Sequence, residues 1–152
     1  MPELSGYFGE DGVHRYPVRV YYEDTDAGGI VYHANYLCFM ERGRTEMLRL
    51  LGWRHTELLY DQGVSFAVRR VEIDFVAPAR LDDTLEVETR IVDIGGASFT
   101  VEQTIRRDGR DLARAELKLA TINGAGRPAR LGAVVRDALR DLHERQMKWS
   151  VR

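Results

Sequence analysis

Two acids, two glycines and a histidine follow one another closely near the start of the chain. Asp24 and Asp26 flank a threonine, Gly28 and Gly29 come next, and His33 stands just before a helical pattern. The first backbone N–H groups of a helix have no intrahelical acceptor, and the helix macrodipole favours negative charge there. A carboxylate facing such a helix end across a glycine turn suits acyl transfer. The loop can supply a base or nucleophile, and the helix end can hold the oxyanion.

Spacing alone leaves the roles of these residues open. Asp26 could be a simple turn residue, because Asp before glycine is common in loops. His33 could be a helix cap or a core histidine with its hydrogen bonds satisfied. We expect Asp24 to be structural, either by holding the loop or by capping backbone groups.

No metal site is predicted. A loop starting at Asp24 begins like a calcium-binding EF-hand, but its fifth and twelfth positions hold Gly28 and Asn35, where Asp or Asn and then Glu are required. The four histidines are scattered and the single cysteine stands alone, so we expect no zinc cluster.

Other nucleophiles are poor candidates. Cys38 lies in the predicted helix with no base beside it, and we expect a buried, inert thiol. Ser65 and Ser98 lack the nucleophile-elbow sequence of serine hydrolases. The acids of the loop therefore remain the main candidates for chemistry.

The loop lies between a predicted strand over residues 14–22 and a predicted helix over residues 35–51. Apolar residues of this helix recur three or four apart, and Asn35 or His33 is expected at its N-cap. Gly43 in mid-helix costs about 1 kcal/mol relative to Ala, which indicates that another element packs closely there.

Downstream, the pattern predicts four hairpin-linked strands and a final helix. Apolar residues alternate over 64–75, with a slip of one residue at Arg69-Arg70 that is typical of a β-bulge. The later elements are strands over 85–93, 99–106 and 112–122 and an amphipathic helix from Leu131 to Leu142. Because strands and helices do not alternate, we expect one antiparallel sheet curling around one helix, an α+β fold.

Length and composition indicate one soluble domain. At 152 residues, the chain is long enough to bury roughly 68–70% of its unfolded surface. A net charge of −2 gives no reason to expect a nucleic-acid partner. We predict a flexible leader over residues 1–13, without a signal peptide, and a single domain over 14–146. No transmembrane segment is predicted, and the single cysteine gives no sign of an oxidising compartment, so we expect a cytoplasmic location.

Two stretches of the sequence carry a family likeness. The first is Val20-Tyr-Tyr-Glu-Asp-Thr-Asp-Ala-Gly-Gly-Ile-Val-Tyr-His-Ala-Asn-Tyr36 with Met40-Glu-Arg-Gly-Arg-Thr-Glu-Met47, and the second is Phe75-Val-Ala-Pro-Ala-Arg-Leu-Asp-Asp83. They closely resemble the hotdog-fold acyl-CoA thioesterases of the 4-hydroxybenzoyl-CoA thioesterase family, specifically its Tol-Pal-associated branch. The likeness covers roughly residues 15–122.

The resemblance implies a hotdog fold, in which an antiparallel sheet wraps around one long central helix, here with an added C-terminal helix. It implies hydrolysis of an acyl-CoA thioester to the free acid and coenzyme A, so coenzyme A is part of the substrate and no cofactor is needed. Acyl carrier protein is an alternative donor. The resemblance also implies a homodimer or homotetramer with active sites at the dimer interface, and a link to envelope or phospholipid metabolism.

Carried over residue by residue, the resemblance implies that Asp26 is the catalytic carboxylate, as nucleophile or general base. The backbone N–H of His33 would polarise the thioester carbonyl, with the His33 side chain in the same pocket. The predicted substrate-binding residues are Val31, Tyr32, Tyr36 and Glu41. Guanidinium groups suit phosphates, and the candidates for the phosphates of coenzyme A are Arg69, Arg70, Arg80, Arg106 and Arg107.

Three alternatives stay open. Some hotdog thioesterases carry the catalytic carboxylate on the helix, which makes Glu41 the second candidate. Hotdog hydroxyacyl-thioester dehydratases usually have a Pro-rich sequence after the His, whereas Ala34-Asn35 follows His33 here. A non-catalytic protein that binds acyl-CoA or acyl carrier protein is the third; a regulator of that kind would be expected to carry a DNA-binding segment, for which the leader is too short.

Overall fold

A computed structural model of the chain describes residues 4–150. These residues form one antiparallel sheet of six strands in the order β1-β2-β4-β5-β6-β3. The strands are β1 (Tyr7–Phe8), β2 (His14–Arg19), β3 (Val64–Phe75), β4 (Thr84–Ile94), β5 (Ser98–Arg107) and β6 (Arg110–Asn123). The helices are α1 (His33–Leu50), α2 (His55–Gln62) and α3 (Ala133–Ser150). This arrangement confirms the predicted α+β fold with a long helix against an antiparallel sheet and a C-terminal helix.

Local sequence signals explain most of the sheet. Asp108 and Gly109 both have positive φ, 50° and 78°, as a tight hairpin turn between β5 and β6 requires. The pairing of β3 with β6 shifts register between Val68 and Arg70, which confirms the predicted bulge. A second shift, between Ile91 and Asp93 in β4, has no comparable signal in the sequence.

The helix α1 forms the centre of the core. Its buried side chains include Phe39, Met40 and Met47, which are fully shielded from solvent. Gly43 faces the sheet so closely that a Cβ placed on it would lie 2.9 Å from Val87 Cγ1 in β4. The close packing predicted from this glycine is therefore confirmed, and it sets the distance between α1 and the sheet.

The first strand of the sheet was not predicted from the sequence. Tyr7 and Phe8 of β1 lie within the predicted leader and pair with Arg15 and His14 of β2. The Ser5 carbonyl oxygen also lies 2.7 Å from His14 Nε2. The flexibility of the leader over residues 1–13 stays a prediction, and residues 1–3 lie outside the described part of the chain.

Two helix ends also differ from the predictions. The N-cap of α1 is Tyr32, which makes no side-chain capping bond, so neither Asn35 nor His33 has the predicted capping position. Asn35 Nδ2 instead donates to the Asp24 carbonyl oxygen, 2.9 Å away. The helix α3 spans Ala133–Ser150, whereas the sequence predicted a helix from Leu131 to Leu142; the domain end at residue 146 stays a prediction. Within residues 4–150, no helix has an apolar stretch long enough to cross a membrane.

Candidate active site

The acidic loop folds into a tight turn next to α1. Thr25 and Val31 form an antiparallel bridge, and the Asp26 N–H donates to the Ile30 carbonyl oxygen at 2.8 Å. Gly29 closes the turn with a φ of +81°, a conformation that glycine adopts without steric cost. The Asp and Gly residues of the motif therefore build the turn itself.

The turn fixes one oxygen of the Asp26 carboxylate. Asp26 Oδ1 accepts the Gly28 N–H at 2.7 Å, the usual hydrogen bond of an Asp-led turn. Asp26 Oδ2 has no hydrogen-bond partner among the described residues, and the side chain is exposed. The carboxylate is held in place and still has a free oxygen for chemistry.

Asp24 joins the turn to the start of α1. Its Oδ2 accepts the Tyr21 N–H at 2.8 Å, and its backbone carbonyl accepts the Tyr32 N–H at 2.9 Å. The side chain is 9% exposed, which fits the predicted structural role. The turn that carries Asp26 is thus attached by hydrogen bonds to the residue that caps α1.

The first turn of α1 contains no acidic residue, so the positive end of the helix dipole is not neutralised by the helix itself. No loop carbonyl among the described residues accepts the His33 N–H. The Asn35 N–H, in contrast, donates to the Tyr32 carbonyl oxygen at 2.8 Å. The His33 N–H is therefore available to an incoming oxygen.

A cavity of about 280 Å³ opens beside this helix end. Val31, His33 and Tyr36 line it, together with Phe75 and the loop that follows β3. Tyr36 is buried, and its hydroxyl oxygen accepts the Ala79 N–H at 2.9 Å, so its ring is fixed against that loop. The Phe75 ring makes edge contacts with the rings of both His33 and Tyr36.

The structure brings some of the predicted site residues together and separates others. Val31, His33 and Tyr36 share one cavity, and Asp26 lies on the turn immediately before it. Tyr32 is 47% exposed, with its ring centroid 4.5 Å from that of His33. Glu41 does not join this group, because it lines a separate cavity two turns further along α1.

The second cavity encloses about 180 Å³ and combines charged and apolar walls. Its polar residues are Glu41, Arg44 and His55, and its apolar floor includes Leu48, Phe99 and Leu119. Sequence reasoning missed Arg44 and His55. The available signal was a charged residue, Arg44, placed four residues before Leu48 on the apolar side of the helix.

Arg44 is unusual because it is a charged residue in the core. It is 8% exposed, and its Nη1 donates to Gln103 Oε1 at 3.0 Å. Burial lowers the pKa of Arg44 from its usual value, against the raising effect of the Glu41 charge. Burial also lowers the pKa of His55, although the residue as a whole is exposed, and Glu41 again opposes the shift.

The candidate arginines for phosphate binding differ in their surroundings. Arg106 pairs with Asp111 at 2.7 Å and Glu88 at 3.0 Å, and Arg107 pairs with Asp83 at 2.6 Å. Arg70 makes only a distant, exposed contact of 3.7 Å with Glu72. Arg80 forms a β-bridge with Ile30, beside the turn that carries Asp26. Two of the five touch the candidate site: Arg80 through this backbone contact, and Arg107 through its Nη1, which donates at 3.3 Å to the carbonyl oxygen of Pro78 in the cavity wall.

Cys38 is exposed on α1, so the prediction of a buried thiol is wrong. It lies between two core positions of the helix, Leu37 and Phe39, but the 100° step of the helix turns its side chain toward solvent. Within residues 4–150, no group of three or more His, Cys, Asp or Glu side chains is arranged to hold a metal ion.

Comparison with known proteins also indicates a thioesterase. A family profile described as the thioesterase superfamily matches residues 28–114. The acyl-CoA thioesterase YbgC of Haemophilus influenzae is 47% identical over 113 residues, covering 74% of this chain and 83% of that protein. The acyl-CoA thioester hydrolase YbgC of Escherichia coli O6:H1 is 53% identical over 91 residues, covering 60% of this chain and 67% of that protein.

A solved structure has the same fold. The probable thioesterase from Bartonella henselae superposes with a TM-score of 0.76 at 43% sequence identity, covering 79% of this chain and 99% of that one. The profile match extends over more than half of the chain and includes Gly28, Gly29, His33 and the whole of α1. This chain therefore belongs to the thioesterase superfamily, and it is a hotdog-fold thioester hydrolase.

Proposed function

We propose that the protein hydrolyses acyl-CoA thioesters to the free acid and coenzyme A, with Asp26 as the catalytic carboxylate and the His33 N–H as the oxyanion donor. One observation carries the assignment. The turn holds Asp26 through the Gly28 N–H, leaves Oδ2 free, and is bonded to the residue that caps α1. The substrate class follows from the names of the two YbgC relatives.

Two routes are compatible with this geometry. In the first, an Asp26 oxygen attacks the thioester carbonyl, the C–S bond breaks, coenzyme A leaves as its thiolate and takes up a proton, and water then hydrolyses the mixed anhydride. In the second, Asp26 takes a proton from a water molecule as that water attacks the carbonyl carbon; the C–S bond then breaks, and the leaving coenzyme A thiolate takes the proton from Asp26. Both routes place negative charge on the carbonyl oxygen, where the His33 N–H and the end of α1 would stabilise it.

The acyl group would begin in the cavity between α1 and the end of β3. The wall of this cavity is largely aromatic and aliphatic. The rings of Tyr36 and Phe75 meet edge to face there, with their centroids 5.5 Å apart. Val31 and Tyr32 stand at the entrance to the helix and would contact the thioester end of the substrate. Arg80, beside the turn, is the residue that we propose for a phosphate of coenzyme A.

We also propose that the active protein is a homodimer or homotetramer. The strand β3 is an edge of the sheet, and its exposed apolar residues include Val68, Val71 and Phe75. A long apolar edge strand is normally covered or paired. Phe75 also contacts His33, so a second copy paired at β3 would lie close to the site. Light scattering after size-exclusion chromatography tests this, and a monomer at micromolar concentration would contradict it.

Three further proposals accompany this function: a cytoplasmic location, as expected from the sequence; a role in envelope or phospholipid metabolism, which the likeness to the Tol-Pal-associated branch supports; and acyl carrier protein as an alternative thioester donor. No cofactor is needed for hydrolysis, because coenzyme A enters as part of the substrate and a carboxylate with an oxyanion donor suffices.

The test is thiol release from short, long and aromatic acyl-CoAs and from an acyl carrier protein ester. Asp26→Asn is the sharpest variant, because the amide oxygen can still accept the Gly28 N–H while the negative charge is lost. Glu23→Gln is the matched control, since Glu23 is an exposed acid three residues away. Loss of thiol release in Asp26→Asn alone supports the proposal.

His33→Ala separates the side chain from the backbone donor. Because the N–H remains, turnover should fall less than in Asp26→Asn. An equal loss would show that the imidazole itself takes part. No thiol release from any ester by the wild-type protein would contradict the proposed function and favour a dehydratase or a binding protein.

A further inference from the structure

One face of the helix α1 runs from the candidate active site toward the second cavity, and the two cavities have no lining residue in common. His33, Leu37, Glu41, Arg44 and Leu48 follow one another at spacings of four, four, three and four residues. Residues three and four apart are neighbours on a helix surface. Arg44 is eleven residues beyond His33, about 16 Å along the helix axis. Its side chain leans back toward the helix N-terminus, which shortens the distance between its guanidinium and the catalytic end.

Arg44 is held rigidly by its neighbours. Its partner Gln103 is fully buried, and Gln103 Nε2 donates to the Met40 carbonyl oxygen and to Thr89 Oγ1, both at 2.9 Å. These two bonds fix the Gln103 amide so that its oxygen points to Arg44. A guanidinium anchored in this way is preorganised. Binding a ligand to it therefore costs little of the conformational entropy of the Arg44 side chain.

Arg44 has no carboxylate in direct contact, although the Glu41 charge acts on it from further away. Among the described side chains it makes the one hydrogen bond to Gln103 and no ion pair. Guanidinium carries five N–H donors and no acceptor, and buried charges in proteins are normally paired. Arg44 lines the second cavity, so a ligand in that cavity could accept hydrogen bonds from the N–H groups that do not bond to Gln103. Glu41, on the same cavity, is exposed and too far away to form an ion pair with it.

We propose that Arg44 is a specificity residue for acyl groups that carry an oxygen acceptor at the end remote from the thioester. The inference rests on the proposed function, because it treats the second cavity as the far end of the acyl site. A terminal carboxylate would compensate the buried charge. A terminal hydroxyl would accept from Arg44 and donate to Glu41. A plain hydrocarbon end would leave the guanidinium without a partner.

The competing explanation is that Arg44 only braces α1 against β5 through Gln103. A purely structural role predicts that its replacement weakens folding and affects all ligands alike. A specificity role predicts a change in the ranking of ligands that differ only at their far end. Selectivity between matched ligands is therefore the readout that separates the two.

The experiment measures binding of S-alkyl coenzyme A thioethers, which cannot be hydrolysed, by titration calorimetry. The octyl and decyl series each contain a terminal methyl, hydroxyl or carboxylate. The proteins are the wild type, Arg44→Met and the control Arg42→Met, whose side chain is an exposed arginine on the same helix. Because binding is measured without turnover, the result does not depend on whether Asp26 is correctly assigned.

In the wild type, we expect a terminal oxygen to tighten binding by about tenfold or more over the methyl analogue, as a hydrogen bond to a charged group can. Arg44→Met should remove that gain, and Arg42→Met should keep it. The ranking of carboxylate against hydroxyl identifies the natural end group. If Arg44→Met does not fold, Arg44→Lys, which keeps the charge and loses the planar fork, should retain only part of the gain.

Two results would overturn the proposal. One is equal binding of the methyl, hydroxyl and carboxylate ligands to the wild type in both series. The other is a preference for the oxygen-bearing ligands that survives unchanged in the Arg44 variant. Hydrolysis of the corresponding acyl-CoAs by the wild type tests the proposed function separately. An enzyme without any preference among the three end groups would still release thiol.

Discussion

Adding one methyl group to Gly43 tests how closely α1 is packed on the sheet. In Gly43→Ala the new Cβ would lie 2.9 Å from Val87 Cγ1 and 3.4 Å from Gln103 Nε2. Carbon atoms prefer separations of about 3.5–4.0 Å, so the methyl group and Val87 must move apart by roughly 0.6 Å or more. Val87 is fully buried and β-branched, which leaves it little freedom to rotate away.

Two opposing contributions decide the stability of Gly43→Ala. Alanine is better than glycine in a helix by about 1 kcal/mol. Overpacking of a full core costs about 1–3 kcal/mol. We expect the overpacking to win, with a net loss of up to about 2 kcal/mol and a decrease in Tm of about 2–4 °C for each kcal/mol.

Urea denaturation of a double-mutant cycle measures this packing directly. Val87→Ala alone should destabilise the protein by leaving a cavity. Combined with Gly43→Ala, it removes the methyl group that clashes, so the double variant should be more stable than the sum of the single changes predicts. A Gly43→Ala variant that is more stable than the wild type would refute the close approach, as would a cycle with no coupling.

Three other perturbations follow from single contacts. Gly28→Ala places a Cβ 3.1 Å from the Asp26 carboxylate and should lower turnover by displacing it, whereas Gly29→Ala, with a positive φ but nothing within 4 Å, should mainly lower Tm; equal turnover in the two would contradict this. Burial lowers the pKa of His14 from 6.5, so the unfolded chain binds the proton more readily and stability should fall as pH decreases through about 6.5; a His14→Gln variant with an undiminished pH slope of Tm would be contrary evidence. Tyr36→Phe leaves a buried N–H without its acceptor and should cost about 1–3 kcal/mol in urea denaturation, and an unchanged midpoint would exclude that contribution.

Features set by neighbouring residues could be predicted from the sequence. The alternation in β3 and its slip at Arg69-Arg70 gave both the strand and the bulge, because side-chain direction in a strand depends only on the local pleat. The Asp108-Gly109 turn is likewise local, since its positive φ values restrict the residue types. Gly43 indicated a close contact because its cost in a helix needs a compensating reason.

Features that depend on residues distant in the chain could not be predicted from the sequence. The strand β1 has two residues and no periodicity, and it exists because Tyr7 and Phe8 find partners in β2. The exposed position of Cys38 depends on which side of α1 meets the sheet, and neighbouring core positions on a helix do not settle that. The capping of α1 was mispredicted because Asn35 bonds to the Asp24 carbonyl oxygen across the loop.

The candidate site divides in the same way. The turn around Asp26 and the helix start at His33 are contiguous in sequence, so their proximity could be foreseen. The pairing of Arg44 with Gln103 joins residues 59 positions apart, so the sequence could show Arg44 on the apolar side of the helix but could not show its partner. Sequence reasoning therefore named the residues of the proposed catalytic end and Glu41 of the second cavity, and it missed Arg44 and His55.

The most direct measurement is the single-turnover rate of thiol release from the best acyl-CoA substrate, compared between Asp26→Asn and Glu23→Gln. Asparagine preserves the turn through the Gly28 N–H, so a loss of rate reports on the charge of Asp26. We predict a decrease of at least about 10²-fold, as expected for the loss of a catalytic base or nucleophile, with Glu23→Gln close to the wild type. A rate in Asp26→Asn within a few-fold of the wild type would contradict the assignment of Asp26 and move attention to Glu41.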